Sequence, residues 1–81
     1  MVSQKEMVDH PEHYQSSSGI ECIDATGAAT DYLKGEEAFC TASAIKYLWR
    51  WRRKMNPVED LKKARWYIDR LISKLEERKF E

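Results

Sequence analysis

The sequence predicts an all-α protein in which three helices form one domain over residues 19–81, after a flexible N-terminal arm over residues 1–18. Apolar residues recur at helical spacing, most clearly in the last third of the chain. Helix-start signals precede the first and third predicted helices. No stretch shows the alternation of apolar and polar residues that is typical of a strand. Because the connections are short, we expect the second and third helices to form an antiparallel hairpin.

The first predicted helix begins after Ser18 and runs to Leu33. Ser18 and Glu21 have the spacing of a capping box, in which each of the two side chains accepts a hydrogen bond from the backbone N–H of the other residue. Gly35 follows as a C-terminal stop, because glycine adopts the left-handed conformation that ends many helices. The apolar residues expected to be buried in this helix are Ile20, Ile23 and Ala28.

The second predicted helix runs from Glu36 to Lys54 and has two distinct faces. At 100° per residue, one side carries apolar residues, namely Ala38, Ala42, Ile45, Leu48 and Trp49. The other side carries cations, namely Lys46, Arg50, Arg53 and Lys54. The helix is therefore predicted to be amphipathic, with an apolar side and a basic side.

The third predicted helix has the clearest start in the chain. Asn56 is a good N-cap, Pro57 suits the first helical position, and Glu59 completes a capping-box variant. The helix is expected to run to Glu77 and to bury a stripe of Leu61, Ala64, Ile68, Leu71, Ile72 and Leu75. Trp66 lies roughly opposite this stripe, so we expect it to be exposed, at a subunit interface or as a platform for a stacked base.

The zero net charge of the 81 residues hides a strong asymmetry. Residues 1–44 carry eight acids and two lysines, a net charge of −6, whereas residues 45–81 carry twelve cations and six acids, a net charge of +6. Such halves can complement each other between subunits or attract an anion to one end, and they can equally be ordinary solvated faces. Together with the small size, the asymmetry favours a homo-oligomer. No apolar run approaches the roughly 18 residues of a membrane span, and without a secretion signal Cys22 and Cys40 are expected to be reduced and buried.

The stretch KYLWRWRRK, residues 46–54, is a candidate phosphate-binding surface. Lys46, Arg50 and Arg53 project from one side on successive turns, and arginine can grip two phosphate oxygens at once. Tyr47 and Trp51 lie beside them and can stack a base. The alternative interpretation is a solvated basic face whose aromatic side chains cover the edge of the core.

A second set of residues on the third helix can join this surface. Asp60, Lys63 and Tyr67 share one edge, which faces the second helix if the two form a hairpin. Asp60 is then placed to orient a lysine or arginine rather than to contact a ligand. An ion-pair seam between the two helices is an equally good explanation of the same residues.

The N-terminal arm offers His10 and His13 as hydrogen-bond donors to phosphate. Residues 1–18 lack apolar periodicity, and Pro11 between these histidines disfavours a helix, so a zinc site on one helix face is not predicted. Glu21 and Asp24 are spaced like magnesium ligands, but no second acidic pair has the spacing to complete that site. We predict no metal and no cofactor, and the absence of a glycine-rich phosphate loop excludes a P-loop kinase.

Four blocks of this sequence resemble, in order and spacing, a family of small phage-encoded proteins of unknown function. The blocks are HPEHY, GIECIDA, AIKYLWR and EDLKKARWYIDRLI, and the resemblance covers about residues 8–77. Many members are described as nucleotide kinases, by similarity to a kinase of T-odd podophages that has no Walker motif. The resemblance implies a phage protein of the host cytoplasm that forms an oligomer. The nucleotide-binding residues that it implies, in agreement with the candidates above, are His10, His13, Tyr14, Lys46, Tyr47, Arg50, Lys54, Lys63 and Tyr67, with Asp60 as the orienting carboxylate.

Three functions agree with these observations. The first is a nucleotide kinase that works without a P-loop, by positioning and charge neutralisation. The second is a protein that sequesters a nucleotide signal or precursor without changing it. The third, which the residues favour less, is a helical module that binds nucleic acid. The sequence identifies neither the nucleotide nor the catalytic residues, and it indicates no membrane partner.

Overall fold

In the computed structural model, the described residues 18–78 form three α-helices and contain no strand. The elements are α1 (Cys22–Ala29), α2 (Gly35–Arg50), a 3-10 turn (Trp51–Arg53) and α3 (Pro57–Arg78). Helix α2 packs against both α1 and α3 and therefore lies between them. The all-α prediction is confirmed for this part of the chain. The predicted arm lies, apart from Ser18, outside the described residues.

The start of α3 forms as the sequence predicts. The Asn56 side-chain oxygen accepts a hydrogen bond from the backbone N–H of Glu59 at 3.2 Å, and the Asn56 amide donates to the Glu59 carboxylate at 3.1 Å. This contact satisfies one of the N–H groups that have no partner inside a helix. Pro57 occupies the first helical position, and the helix ends at Arg78, one residue beyond the prediction.

Helix α1 is shorter than predicted at both ends. Gly19 has a φ of +85°, outside the helical region, so the chain enters the helix only at Cys22, and Ser18 accepts a hydrogen bond from Ile20 instead of capping it. At the other end the Thr30 hydroxyl donates to the carbonyl of Thr26 at 2.8 Å, and the chain turns before Leu33. The capping-box prediction for this helix was therefore wrong.

The ends of α2 also differ from the prediction. Gly35 begins α2 rather than ending α1, with a φ of +55° that a residue with a side chain adopts only under strain. The α-helix stops at Arg50 and tightens into the 3-10 turn, so Lys54 is extended rather than helical. Pro57 disfavours a helical conformation at Asn56, so the chain leaves the helical conformation before α3 begins.

The buried core is smaller than predicted and consists of small residues. Its apolar members are Cys22, Cys40, Ala44 and Ala64. The predicted core residues Ile20, Ile23 and Ala28 of the first helix are exposed instead, and Leu48 is 47% exposed. Much of the predicted α3 stripe is also half-exposed, whereas Ala64 is buried as expected. Both cysteines are free thiols and buried, as predicted.

Ion pairs connect the acidic half of the chain to the basic half across α2 and α3. Glu36 accepts hydrogen bonds from Arg70 and from Lys74, the latter at 3.0 Å, and Glu37 pairs with Arg78. The hydrogen bonds from these two cations lower the pKa of the Glu36 carboxyl. Part of the charge asymmetry in the sequence is therefore neutralised within one chain.

Candidate functional site

Two tyrosines from different helices form the centre of the candidate site. Tyr47 lies in the last turn of α2 and Tyr67 in the middle of α3, and their rings stack with centroids 6.0 Å apart and planes inclined by 11°. Phe39 and Trp66 each meet Tyr67 edge-on, at 5.9 and 5.1 Å. Both geometries are favourable for aromatic rings. Tyr67 therefore contacts Phe39 and Tyr47 on α2 as well as Trp66 on its own helix. The edge of α3 that carries Tyr67 faces the edge of α2 that carries Tyr47.

Three cations surround the Tyr47 ring. The guanidinium carbon of Arg50 lies 4.8 Å from the ring centroid, the Lys46 ammonium 4.9 Å and the Lys63 ammonium 5.5 Å. Each distance lies within the roughly 6 Å over which a ring attracts a cation. The structure therefore brings together the cations that the sequence placed on two separate helices.

Arg50 and Asp60 form an ion pair at the base of this cluster. The Arg50 Nε and Nη2 atoms donate to the two Asp60 carboxylate oxygens at 3.1 and 3.3 Å. Asp60 is only 3% exposed, and the Arg50 side chain is 16% exposed. The Arg50 guanidinium therefore turns inward to the buried carboxylate. Such a two-pronged contact fixes both the position and the orientation of the guanidinium.

Lys63 is held more loosely. Its ammonium contacts the Glu59 carboxylate at 3.1 Å, one helical turn away, and both side chains are about half-exposed. The hydrogen bond to Glu59 raises the pKa of the Lys63 ammonium, so Lys63 remains charged at neutral pH. Exposed pairs of this kind contribute little to stability, which leaves Lys63 able to exchange its partner for another anion.

An open cavity of about 300 Å³ borders the aromatic cluster, lined by Tyr47, Lys63, Trp66 and Tyr67. This volume is at the lower end of the range for small-molecule sites. Trp66 is 61% exposed, as the sequence predicts, and so offers free ring area at the edge of the cavity. A cation, a free indole face and two phenols thus line one opening.

The predicted site residues fall into three groups. The structure brings together Lys46, Tyr47, Arg50, Asp60, Lys63 and Tyr67. Lys54 does not join this cluster of described residues: it lies past the 3-10 turn, where its backbone N–H donates to the carbonyl of Trp51. The remaining predictions, His10, His13 and Tyr14, lie outside the described residues.

Sequence reasoning missed two members of the cluster. Glu59 was assigned only a capping role, although its spacing from Lys63 is that of a helical ion pair. Phe39 lies about two turns before Tyr47 on α2, and that spacing was a signal that the two rings share an edge.

Residues 18–78 contain neither a group of metal ligands nor a helix that could cross a membrane. No group of three His, Cys, Asp or Glu side chains in this part of the chain is close enough together to hold a metal ion. None of the described helices combines the length and the apolar character that crossing a bilayer requires.

Comparison with known proteins identifies one family. The model of a family described as a protein of unknown function, DUF3310, matches residues 8–69. No curated protein and no solved structure matches the chain. The matched range contains the whole cluster from Lys46 to Tyr67 and ends within α3. Because it covers most of the sequence, the chain belongs to the DUF3310 family.

Proposed function

We propose that this protein binds nucleotides in the cavity beside the tyrosine pair, with the base against Trp66 and the phosphates on Lys63 and Lys46. The observation that carries the proposal is the shared opening: Lys63 and the exposed ring of Trp66 line the same cavity. A phosphorylated, aromatic ligand is the class of small molecule that uses both groups at once.

Of the rings that the sequence offers for stacking, Trp66 is better placed for the base than Tyr47. Tyr47 already has Tyr67 stacked on it and three cations around it. Trp66 is more exposed, and stacking on an aromatic side chain is worth roughly 1–3 kcal/mol per base. Tyr67 then acts as the support that holds Trp66 in position through their edge-on contact.

The lysines are the better phosphate ligands, and Arg50 has a positioning role. Arg50 already donates to Asp60 and lies over Tyr47, so it fixes the wall of the site. Lys63 exchanges an exposed carboxylate for a phosphate at little cost. The three cations and the two carboxylates of the cluster sum to +1, which favours an anionic ligand. Roles for His10, His13, Tyr14 and Lys54 stay predictions.

The first test is a thermal-shift screen with nucleoside mono-, di- and triphosphates and cyclic nucleotides. A ligand at 100 times its Kd stabilises the native state by about 2.7 kcal/mol, which raises the melting temperature measurably. Lys63→Ala is expected to remove most of the shift. Lys62→Ala is the matched control, because it removes the same charge from the neighbouring, exposed position on α3. Equal shifts in both variants would contradict the proposed site.

A second test separates the two nucleotide functions. The protein is incubated with a nucleoside triphosphate and a deoxynucleoside monophosphate, and the nucleotides are separated by chromatography. A kinase converts the pair to diphosphates, as the family resemblance implies, whereas a sequestering protein returns both unchanged.

Nucleic-acid binding is the remaining alternative, and the exposed cations of the 3-10 turn, Arg52 and Arg53, favour it. Binding to random DNA that neutralises many phosphates weakens steeply with salt. A mobility shift that survives about 0.2 M salt, without a thermal shift from any nucleotide, would replace our proposal by this one.

The direction of α2 relative to α3 and the assembly of the protein are also proposals. The paired residues run in opposite directions along α2 and α3, from Arg50–Asp60 to Glu37–Arg78, and we infer an antiparallel hairpin from that order. A homo-oligomer is supported by the half-exposed apolar residues of the three helices. Phage origin and a host-cytoplasmic location stay predictions from the resemblance.

A further inference from the structure

One face of α3 exposes a row of large aliphatic side chains. Leu61, Ile68, Ile72 and Leu75, here called the apolar stripe, are between 38% and 49% exposed. The stripe extends from Leu61 to Leu75, or about 21 Å of helix at 1.5 Å per residue. Within residues 18–78 no large side chain is fully buried, so the small core does not use these residues. A continuous apolar row of this length indicates a surface that is covered by a partner.

The stripe lies beside the α2-facing side of α3 and not on it. Asp60, Tyr67 and Lys74 contact α2, and each is followed by a stripe residue, namely Leu61, Ile68 and Leu75. Consecutive helical residues are about 100° apart, so the stripe is turned by that angle from the α2-facing side. Trp66 precedes Tyr67 and is turned by the same angle in the opposite direction. The stripe is therefore separate from the nucleotide cavity and does not depend on the proposed function.

We propose that the apolar stripe is the interface of an antiparallel two-fold dimer of this chain. Leu61, Ile68 and Leu75 recur every seven residues and Ile72 follows Ile68 by four, the spacing with which two helices pack against each other. In a two-fold dimer the same patch serves both subunits. A two-fold axis between Ile68 and Ile72 places each of these residues against the other one in the partner subunit, so the contact is centred on this pair and Leu61 lies at its edge.

Charges beside the stripe select the antiparallel arrangement. Arg65 follows Leu61 by one turn and Glu76 follows Ile72 by one turn, and both are exposed on the flank away from α2. The antiparallel axis brings Arg65 next to Glu76 of the partner subunit, twice per dimer. A parallel dimer would instead place like charges together, which is unfavourable.

The test is the molecular mass of the full chain in solution, measured by light scattering at micromolar concentration. The dimer is expected at twice the 9.6 kDa of one chain. Ile68→Asp places a charge in the middle of the stripe and is expected to give the mass of one chain, with circular dichroism as the check that it is still helical. A wild-type protein with the mass of one chain would overturn the proposal, and so would a helical Ile68→Asp variant that keeps the wild-type mass.

Charge exchange tests the orientation without touching the apolar residues. Arg65→Glu and Glu76→Arg are each expected to weaken dimerisation about tenfold, because each replaces two attractive pairs by repulsive ones. The double variant restores both pairs and is expected to dimerise like the wild type. Arg52→Glu is the matched control, since it makes the same charge change on the exposed 3-10 turn. Single reversals that strengthen the dimer, or a double variant as weak as the singles, would overturn the antiparallel interface.

Discussion

Replacing Asp60 by asparagine tests how the cluster is held together. The substitution keeps the shape of the side chain but removes the charge that faces Arg50 across 3.1 and 3.3 Å. Breaking a buried ion pair by removing one partner costs about 3–5 kcal/mol, because the remaining charge stays out of water. Since Arg50 keeps 16% of its side-chain surface in solvent, we expect the lower part of this range, about 3–4 kcal/mol. In a domain of this size that lowers the melting temperature by about 10–30 °C.

The assay is urea unfolding of the Asp60→Asn protein followed by circular dichroism. Asp69→Asn is the matched control: it is the same substitution on the same helix at an exposed position, and it is expected to change stability by less than about 0.5 kcal/mol. Loss of the charge also frees Arg50 to move from Tyr47, so nucleotide binding should weaken as well. If Asp60→Asn unfolds at the same urea concentration as Asp69→Asn, the ion pair does not organise the site and our reasoning is wrong.

Three further predictions concern stability. The lowered pKa of Glu36 means that its ion pairs stabilise the fold above the ordinary glutamate pKa and are lost as the pH falls through the lowered value. Glu36→Gln should therefore be less stable than the wild type at pH 7, with the difference in unfolding free energy disappearing in acid; a difference that persists there would contradict the assignment. Asn56→Ala should cost about 1 kcal/mol in urea unfolding by removing the cap of α3, whereas Ser18→Ala should cost almost nothing because α1 begins at Cys22. Leu48→Ala should cost about 1–2 kcal/mol rather than the 2–5 of a buried leucine, because Leu48 is 47% exposed, and a larger loss would show that a partner covers it.

The sequence predicted the end of a helix correctly where several neighbouring residues favour the same position. Asn56, Pro57 and Glu59 each favour the same start, and α3 begins there. The signal at Ser18 failed because Gly19 adopts a positive φ and takes the chain out of helical conformation before the cap can act. The end of α2 was missed because the apolar pattern continues past Arg50 and no glycine or proline marks the change to the 3-10 turn.

Helical periodicity predicted which residues share a face but not what covers that face. It placed Lys46, Tyr47 and Arg50 beside Lys63 and Tyr67 once α2 and α3 pack together, and the structure brings these residues into contact. The rotation of Arg50 toward Asp60 depends on the separation of the two helices, which no single-helix pattern contains.

The degree of burial likewise depends on how many helices surround a residue. Ile68 and Ile72 have the spacing of core residues, and among the described residues 18–78 they remain 40% and 49% exposed. The same spacing is typical of a buried core and of a helix that packs against a second chain.

The most direct test of the central claim is a calorimetric titration of the protein with the four deoxynucleoside monophosphates and with the matching nucleosides. We expect at least one monophosphate to bind, and its nucleoside to bind far more weakly, because the lysine–phosphate contacts are missing. Lys63→Ala should weaken the monophosphate about 10- to 150-fold, the loss of a charge-assisted hydrogen bond worth roughly 1.5–3 kcal/mol, while Lys62→Ala leaves it unchanged. If no monophosphate binds, or if a nucleoside binds as tightly as its monophosphate, the cluster of Tyr47, Lys63, Trp66 and Tyr67 is not a nucleotide site.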